Sequence, residues 1–184
     1  MLKCLGFSYK IRINLNLRRC IMEGDYNKDC CMTTDNNWFR YRAAAIIIED
    51  DSVLLAGNEK ADYLYSVGGG VHMGETAEEA VVREVYEETG IKYEVDRLAF
   101  IHENFFLGDG ITSGKKCHEI AFYFLMKPRG TKELNSNSYC MEGKEFMHWI
   151  PIKELAKYKA YPTFFREKLF NMPNGIEHIV TIED

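Results

Sequence analysis

The sequence predicts an α/β fold in which helices pack against a mixed sheet. Three observations carry that prediction. Short apolar, β-branched or aromatic runs recur from residue 42 to residue 150. One stretch, residues 76–89, pairs helical apolar spacing with a start and a stop signal. Strand-like and helix-like segments alternate irregularly, with no internal repeat or low-complexity tract, as a mixed sheet flanked by helices requires.

From Tyr41 the chain reads as strand, turn, strand: RAAAIII, the polar turn EDDS, then VLLAG. YLYSV, residues 63–67, is an aromatic-rich strand running straight into Gly68, Gly69 and Gly70. Thr76 followed by Glu79 is a capping-box pattern, and Gly90 stands where a helix C-cap glycine belongs. YEVDRLAFIHENFF is one long strand or two short ones, FLGDGITSGKK a polar loop, and HEIAFYFLM a strand. Residues 127–144 read as an irregular loop, FMHWI as a strand, and Pro151 opens a short helix over IKELAKY. TFFREKLF reads as a second short helix.

A chain of 184 residues, 46% hydrophobic and 28% charged, fits one domain with a real core. Its net charge of −5 argues against broad, charge-driven nucleic-acid binding. The charge is uneven: Lys3, Lys10, Arg12, Arg18 and Arg19 precede residue 23 with no acid among them, leaving −10 for the rest. Residues 1–37 read as a basic, unpatterned and loosely attached N-terminal extension, and residues 38–184 as the domain, with Met22 or Met32 a candidate start. No run approaches the roughly 18 apolar residues of a membrane span, and polar residues interrupt every run a secretory signal would need. An organelle-targeting segment is a weaker reading of the basic start, which is poor in serine. The expected compartment is cytoplasmic. The cysteines at 4, 20, 30, 31, 117 and 140 form no C-x-x-C pair, so reduced thiols are expected rather than a zinc site or disulfide framework.

The helix at 76–89 poses the chemical question. On a helical wheel Ala77, Ala80, Val81 and Val85 form the apolar arc. Glu78 and Glu79 fall outside it, as solvated acids should. Glu84 and Glu88 fall inside it, with Glu87 at its edge, and unpaired carboxylates among core residues cost several kcal/mol each. Arg83 points away from the arc and pairs with one acid at most. A hard divalent cation answers the need better: Mg²⁺ takes a few carboxylates together with water and phosphate oxygens. Positions 84, 87 and 88 are neighbours on one helix face. The preceding glycines allow close backbone approach to a metal or a phosphate. Together these describe a magnesium–diphosphate site.

The same residues resemble a known family. The pattern Gly-x5-Glu-x7-Arg-Glu-U-x-Glu-Glu-x-Gly-U, with U apolar, is the signature of Nudix hydrolases, the MutT-like domains. Here it runs through Gly69, Glu75, Arg83, Glu84, Val85, Glu87, Glu88, Gly90 and Ile91, and every fixed position matches. One departure is Val67, where many members carry proline. The resemblance implies an α/β/α sandwich around a mixed sheet, with the signature as a loop–helix–loop. It also implies Mg²⁺-dependent hydrolysis of a nucleoside diphosphate linked to another moiety, by water attack at phosphorus, with Mn²⁺ as a substitute ion. Glu84, Glu87 and Glu88 are then the expected metal ligands, with a carbonyl near Gly68 joining them. Glu75 and Arg83 are expected to pair and orient the loop and helix. A signature glutamate or a later one is expected to act as general base, with Glu119 favoured over Glu103.

Arg42, Tyr63, Tyr65 and Phe105 are weaker candidates for the nucleotide pocket, since strand aromatics are more often core residues. The expected partner is a nucleotide or nucleotide derivative, with no membrane and no nucleic acid; a homodimer is compatible with the sequence. Downstream of Gly90, FFLG lacks the proline of ADP-ribose pyrophosphatases and the tyrosine of dinucleoside polyphosphate hydrolases. The extended coenzyme A and NADH motifs are absent too, so no substrate is selected. Two other classes stay open: a non-catalytic nucleotide-sensing or interaction module, and a diphosphate isomerase of the same fold.

Overall fold

The structure, a computed structural model, describes residues 28–140 and 143–183. The expectations for a targeting segment or an alternative start fall outside those residues, except for Met32. In chain order the elements begin with β1 (Cys31–Thr33), β2 (Asn37–Ile46), β3 (Ile48–Glu49), β4 (Ser52–Asn58), β5 (Leu64–Ser66) and β6 (Gly68–Gly70). Then come α1 (Ala77–Thr89), β7 (Val95–Leu107), β8 (Lys116–Met126), β9 (Tyr139–Cys140) and β10 (Gly143–Pro151). The chain ends with β11 (Ala160–Tyr161), α2 (Phe165–Lys168) and β12 (Glu177–Ile182).

The strands form two six-stranded mixed sheets where the sequence suggested one. The first runs β1-β2-β8-β7-β12, with β6 also on β2; β2–β8 and β7–β12 are parallel. The second runs β11-β5-β4-β10-β9, with β3 on β4. Ala43, Ala45 and Leu54 pack with Val81 and Val85 of α1 on one side of the strands. Ala44, Ile46, Val53 and Leu55 pack with Leu155, Phe165 and Leu169 on the other. Helical segments on both sides of a β layer give the α/β/α order, and alternate residues of β2 and β4 feed opposite cores because strand side chains alternate in direction.

The stretch read as one long strand or two is a single strand, β7, with pairing irregularities at Val95/Arg97 and Leu98/Phe100. IKELAKY forms a 3-10 turn at Ile152–Lys157 rather than an α-helix. Five strands had no clear local signal: β1, the glycines of β6, and β9, β11 and β12. The described part of the N-terminal stretch is not loose, because β1 pairs antiparallel with β2 and Cys30 donates its backbone N–H to Val71. Cys30, Cys31 and Cys117 are free thiols. Among the described residues no helix is long and apolar enough to cross a membrane.

Candidate functional site

Helix α1 begins where its sequence says it should. The Thr76 hydroxyl accepts from Glu79 N–H while the Glu79 carboxylate accepts from Thr76 N–H, and Gly90 closes the helix at φ 69°. The buried face carries Ala77, Ala80, Val81, Val85, Glu88 and Thr89, while Glu78 and Glu79 are exposed. Glu88 therefore enters the protein as the wheel requires, only 8% exposed, whereas the Glu87 side chain is 56% exposed.

Arg83 departs from expectation. It does not satisfy one acid at most; its planar fork reaches three. Nε and Nη2 donate to Glu75 at 2.9 Å, and Nη1 donates to Glu84 at 2.5 Å and to Glu87 at 3.3 Å. Nη2 also donates to the Gly70 carbonyl at 3.0 Å, tying the helix to β6. The wheel located the Cα direction of Arg83 but not the reach of five donors on a long stem. Glu75 also accepts from His72 N–H; although burial opposes ionisation, these partners hold its carboxyl below the ordinary range.

The three glycines form a short strand against β2, with Arg42 opposite Gly70 and Ala44 opposite Gly68. A side chain at Gly69 would meet the Glu84 carboxylate at 2.6 Å, so Glu84 occupies the space that a Cβ would take. Gly68 donates its N–H to Glu88 Oε1 at 2.9 Å. Val67, in place of the expected proline, is fully buried, and its carbonyl accepts from Ala45 N–H.

Glu88 Oε2 is buried without a partner. Burial, with the Glu145 and Glu84 charges adding to it, pushes the Glu88 carboxyl up to about 8, against the Gly68 N–H and Arg42. Burial also raises Glu84, although Arg83 opposes the shift. These groups face a cleft of about 980 Å³. Among the described residues no group of three or more His, Cys, Asp or Glu side chains is gathered closely enough to hold an ion on its own. The donor set is nevertheless one Mg²⁺ suits: hard oxygens, an orphaned buried carboxylate oxygen at Glu88, and Glu84 over a glycine. Mg²⁺ commonly uses one or two carboxylates and fills its remaining positions with water and phosphate.

The other expected residues divide. Arg42 and Tyr65 line the cleft. Arg42 donates to the Ser66 carbonyl at 2.6 Å, and the Tyr65 hydroxyl donates to Glu145 at 2.6 Å. Phe105 does not line it; its ring stacks on His118 at 4.3 Å, and the next residue, Phe106, lines the cleft instead. Glu119 lies in the wall, but Arg40 donates to it through Nε at 2.8 Å and Nη2 at 2.5 Å. Burial alone would raise Glu119, yet Arg40 and Arg42 outweigh it and hold the carboxyl below the ordinary range. That is a poor setting for a proton acceptor. Glu103 is bonded to His178 at 2.8 Å and does not line the cleft.

Sequence reading missed Glu145, which is buried and accepts from Tyr65 and from Ser138 at 2.5 Å. It also missed Tyr139 and Tyr161, which line the cleft. All three stand in segments that carry no local motif, and only sheet pairing brings them here.

The NUDIX domain family model matches residues 39–169, and the chain belongs to that family. A MutT-like protein of Streptomyces ambofaciens is 36% identical over 95 residues, which are 51% of this chain and 55% of that protein. Diphosphoinositol polyphosphate phosphohydrolase 2 of Homo sapiens is 38% identical over 76 residues, 39% of this chain and 42% of that protein. The chain thus spans about half or less of the length of these curated relatives. Among solved structures, the mutator MutT protein of Bacillus halodurans superposes with a TM-score of 0.56 at 21% identity, covering 79% of this chain and 92% of that one. That likeness shows the fold.

Proposed function

We propose that the protein hydrolyses a nucleoside diphosphate linked to another moiety, with Mg²⁺ held by Glu84 and Glu88 and assisted by Glu87. The observation that carries this reading is the orphaned Glu88 oxygen, buried beside the glycine strand and facing the cleft. When bound, Mg²⁺ would neutralise phosphate charge and activate water. Arg83 positions Glu84 and Glu87 while Glu75 holds Arg83, so one ion-pair network sets the carboxylate geometry. Glu119 serves to hold Arg40 in the wall rather than to accept a proton.

The cleft also bears on substrate class. Among the described residues its wall carries Arg40, Arg42 and Lys159 as cations; Arg40 is paired with Glu119, and Lys159 with Asp62. Glu84, Glu87, Glu145 and Asp109 add negative charge, and Glu88 joins them when a bound cation draws off its proton. A ligand with many phosphates would meet more acids than cations, whereas one diphosphate unit with Mg²⁺ would not. Tyr63, Tyr65, Tyr139, Tyr161 and Phe106 offer aromatic surface for a base. A nucleotide derivative therefore suits the cleft better than the substrate named for the diphosphoinositol relative.

The test is incubation with Mg²⁺, ¹⁸O-labelled water and a panel of ADP-ribose, nucleotide sugars, dinucleoside polyphosphates and nucleoside triphosphates, read by mass. Magnesium-dependent label uptake that Glu88→Gln abolishes is the expected result. Binding without turnover on any panel member would instead favour a nucleotide-sensing module. A product of unchanged mass would favour an isomerase.

A further inference from the structure

Adjoining the cleft is a second, smaller chamber of about 70 Å³, which shares Arg42, Tyr65, Asn104, Glu119, Tyr161 and Glu183 with the cleft wall. Ser66, His102 and Tyr123 also line it. Three of these residues carry buried polar atoms with no hydrogen-bond partner: Arg42 Nε, His102 Nδ1 and Asn104 Oδ1. His102 is only 3% exposed. Three such atoms around one cavity are unusual, because buried polar groups are normally paired and each unpaired one costs about 1–3 kcal/mol.

The chemistry narrows the occupant. Arg42 Nε can only donate, and Asn104 Oδ1 can only accept. The His102 Nε2 and Thr181 hydroxyl are bonded at 2.8 Å, so Nδ1 donates or accepts according to which way that bond runs. Burial pulls His102 down to about 4, leaving a neutral imidazole at pH 7. Arg42, Glu119 and Glu183 line the chamber, and Arg40 neutralises Glu119, so the surroundings are close to electroneutral. A phosphate would accept without donating and would meet no excess positive charge. A nucleobase is better served by the aromatic wall of the cleft, which at about 980 Å³ is far larger than this space of about 70 Å³. Two adjacent hydroxyl groups fit both the volume and the mixed donor–acceptor set.

We propose that this chamber is a sugar-diol subsite, in which Arg42, His102 and Asn104 hydrogen-bond vicinal hydroxyls of a ligand whose diphosphate lies at the glycine strand. The proposal rests on the diphosphate reading above for its orientation. The diol belongs either to the nucleoside ribose or to the sugar beyond the diphosphate.

The experiment measures equilibrium binding to the full chain by calorimetry in EDTA, where turnover is suppressed, with Mg²⁺-dependent hydrolysis followed separately. The ligands are ADP-ribose, ADP and 2′-deoxy-ADP, with UDP-glucose, UDP and 2′-deoxy-UDP as the uridine set. Preference for ADP-ribose over ADP, or for UDP-glucose over UDP, places the distal sugar in the chamber. Preference for a ribonucleotide over its deoxy form places the nucleoside ribose there. In either case His102→Phe and Asn104→Leu should each erase the preference, a change of about tenfold per lost hydrogen bond, while leaving the deoxy-nucleotide affinity in place. Urea melts of both variants check that they fold, and two positions guard against one failing. No preference, a preference that survives in both variants, or no binding of any ligand at millimolar concentration overturns the subsite. Failure of hydrolysis with the preference intact counts against the proposed activity alone.

Discussion

Replacing Gly68 with alanine tests whether the glycine strand is built on backbone geometry that no other residue supplies. Gly68 sits at φ 133°, where L side chains rarely go. An added Cβ would press into the Ala43 carbonyl oxygen and lie 2.6 Å from Ala44 Cα. Both neighbours are backbone of β2, paired with β6, and neither can swing aside. The positive φ costs about 1–3 kcal/mol and the overlap about 1–3 more, so a loss of about 2–6 kcal/mol, centred at about 4, is expected. With a urea slope of about 2 kcal/mol per molar, the unfolding midpoint should fall by about 2 M. Trp38 and Trp149 provide the fluorescence signal. Gly69→Ala is the internal control: the nearest atoms to its Cβ would be the side-chain end of Glu84 rather than backbone. That variant should lose under about 1 kcal/mol of stability yet lose activity as Glu84 is displaced. A Gly68→Ala midpoint within error of the wild type would refute the reasoning, as would equal stability losses in the two variants.

Other perturbations separate the remaining claims. Arg83→Lys keeps the charge but not the fork that spans Glu75, Glu84, Glu87 and the Gly70 carbonyl; kcat should fall by about tenfold or more, and wild-type rates would show that charge alone suffices. Thr76→Ala removes the reciprocal cap of α1 and should cost about 1 kcal/mol in urea, with little change in KM. Because burial lowers His102 from 6.5 to about 4, protonation favours the unfolded chain. Its contribution is present above about pH 6.5 and is lost as pH falls toward 4, on the order of 3 kcal/mol at most. Urea midpoints at pH 7 and 4.5 should therefore lie closer together in His102→Phe than in the wild type, and identical pH slopes would rule the effect out. EDTA should abolish turnover, and restored Mg²⁺ should recover it; activity that survives chelation would remove the metal from the reading.

The signature helix was legible because its information is local. Helical spacing places Glu84 and Glu88 among Ala77, Ala80, Val81 and Val85, and the cap residues at Thr76, Glu79 and Gly90 act within one turn of their own backbone. The sequence by itself thus determined the fold class, the helix and its carboxylate face, and the expectation of a cation to meet them. What it left open depends on partners far along the chain. Whether Phe105 or Phe106 reaches the cleft turns on the phase of β7, a strand whose pairing shifts at Val95/Arg97 and Leu98/Phe100. A one-residue change of phase exchanges the two faces of a strand, and nothing local reports it. Glu119 looked free to act as a base until β2, pairing in parallel with β8, set Arg40 opposite it. Glu145 acquired Tyr65 and Ser138, and His102 acquired Thr181, only when separate strands met. Tertiary structure decided those roles because a carboxylate or imidazole takes its charge and partners from groups brought near in space, whatever their separation in sequence.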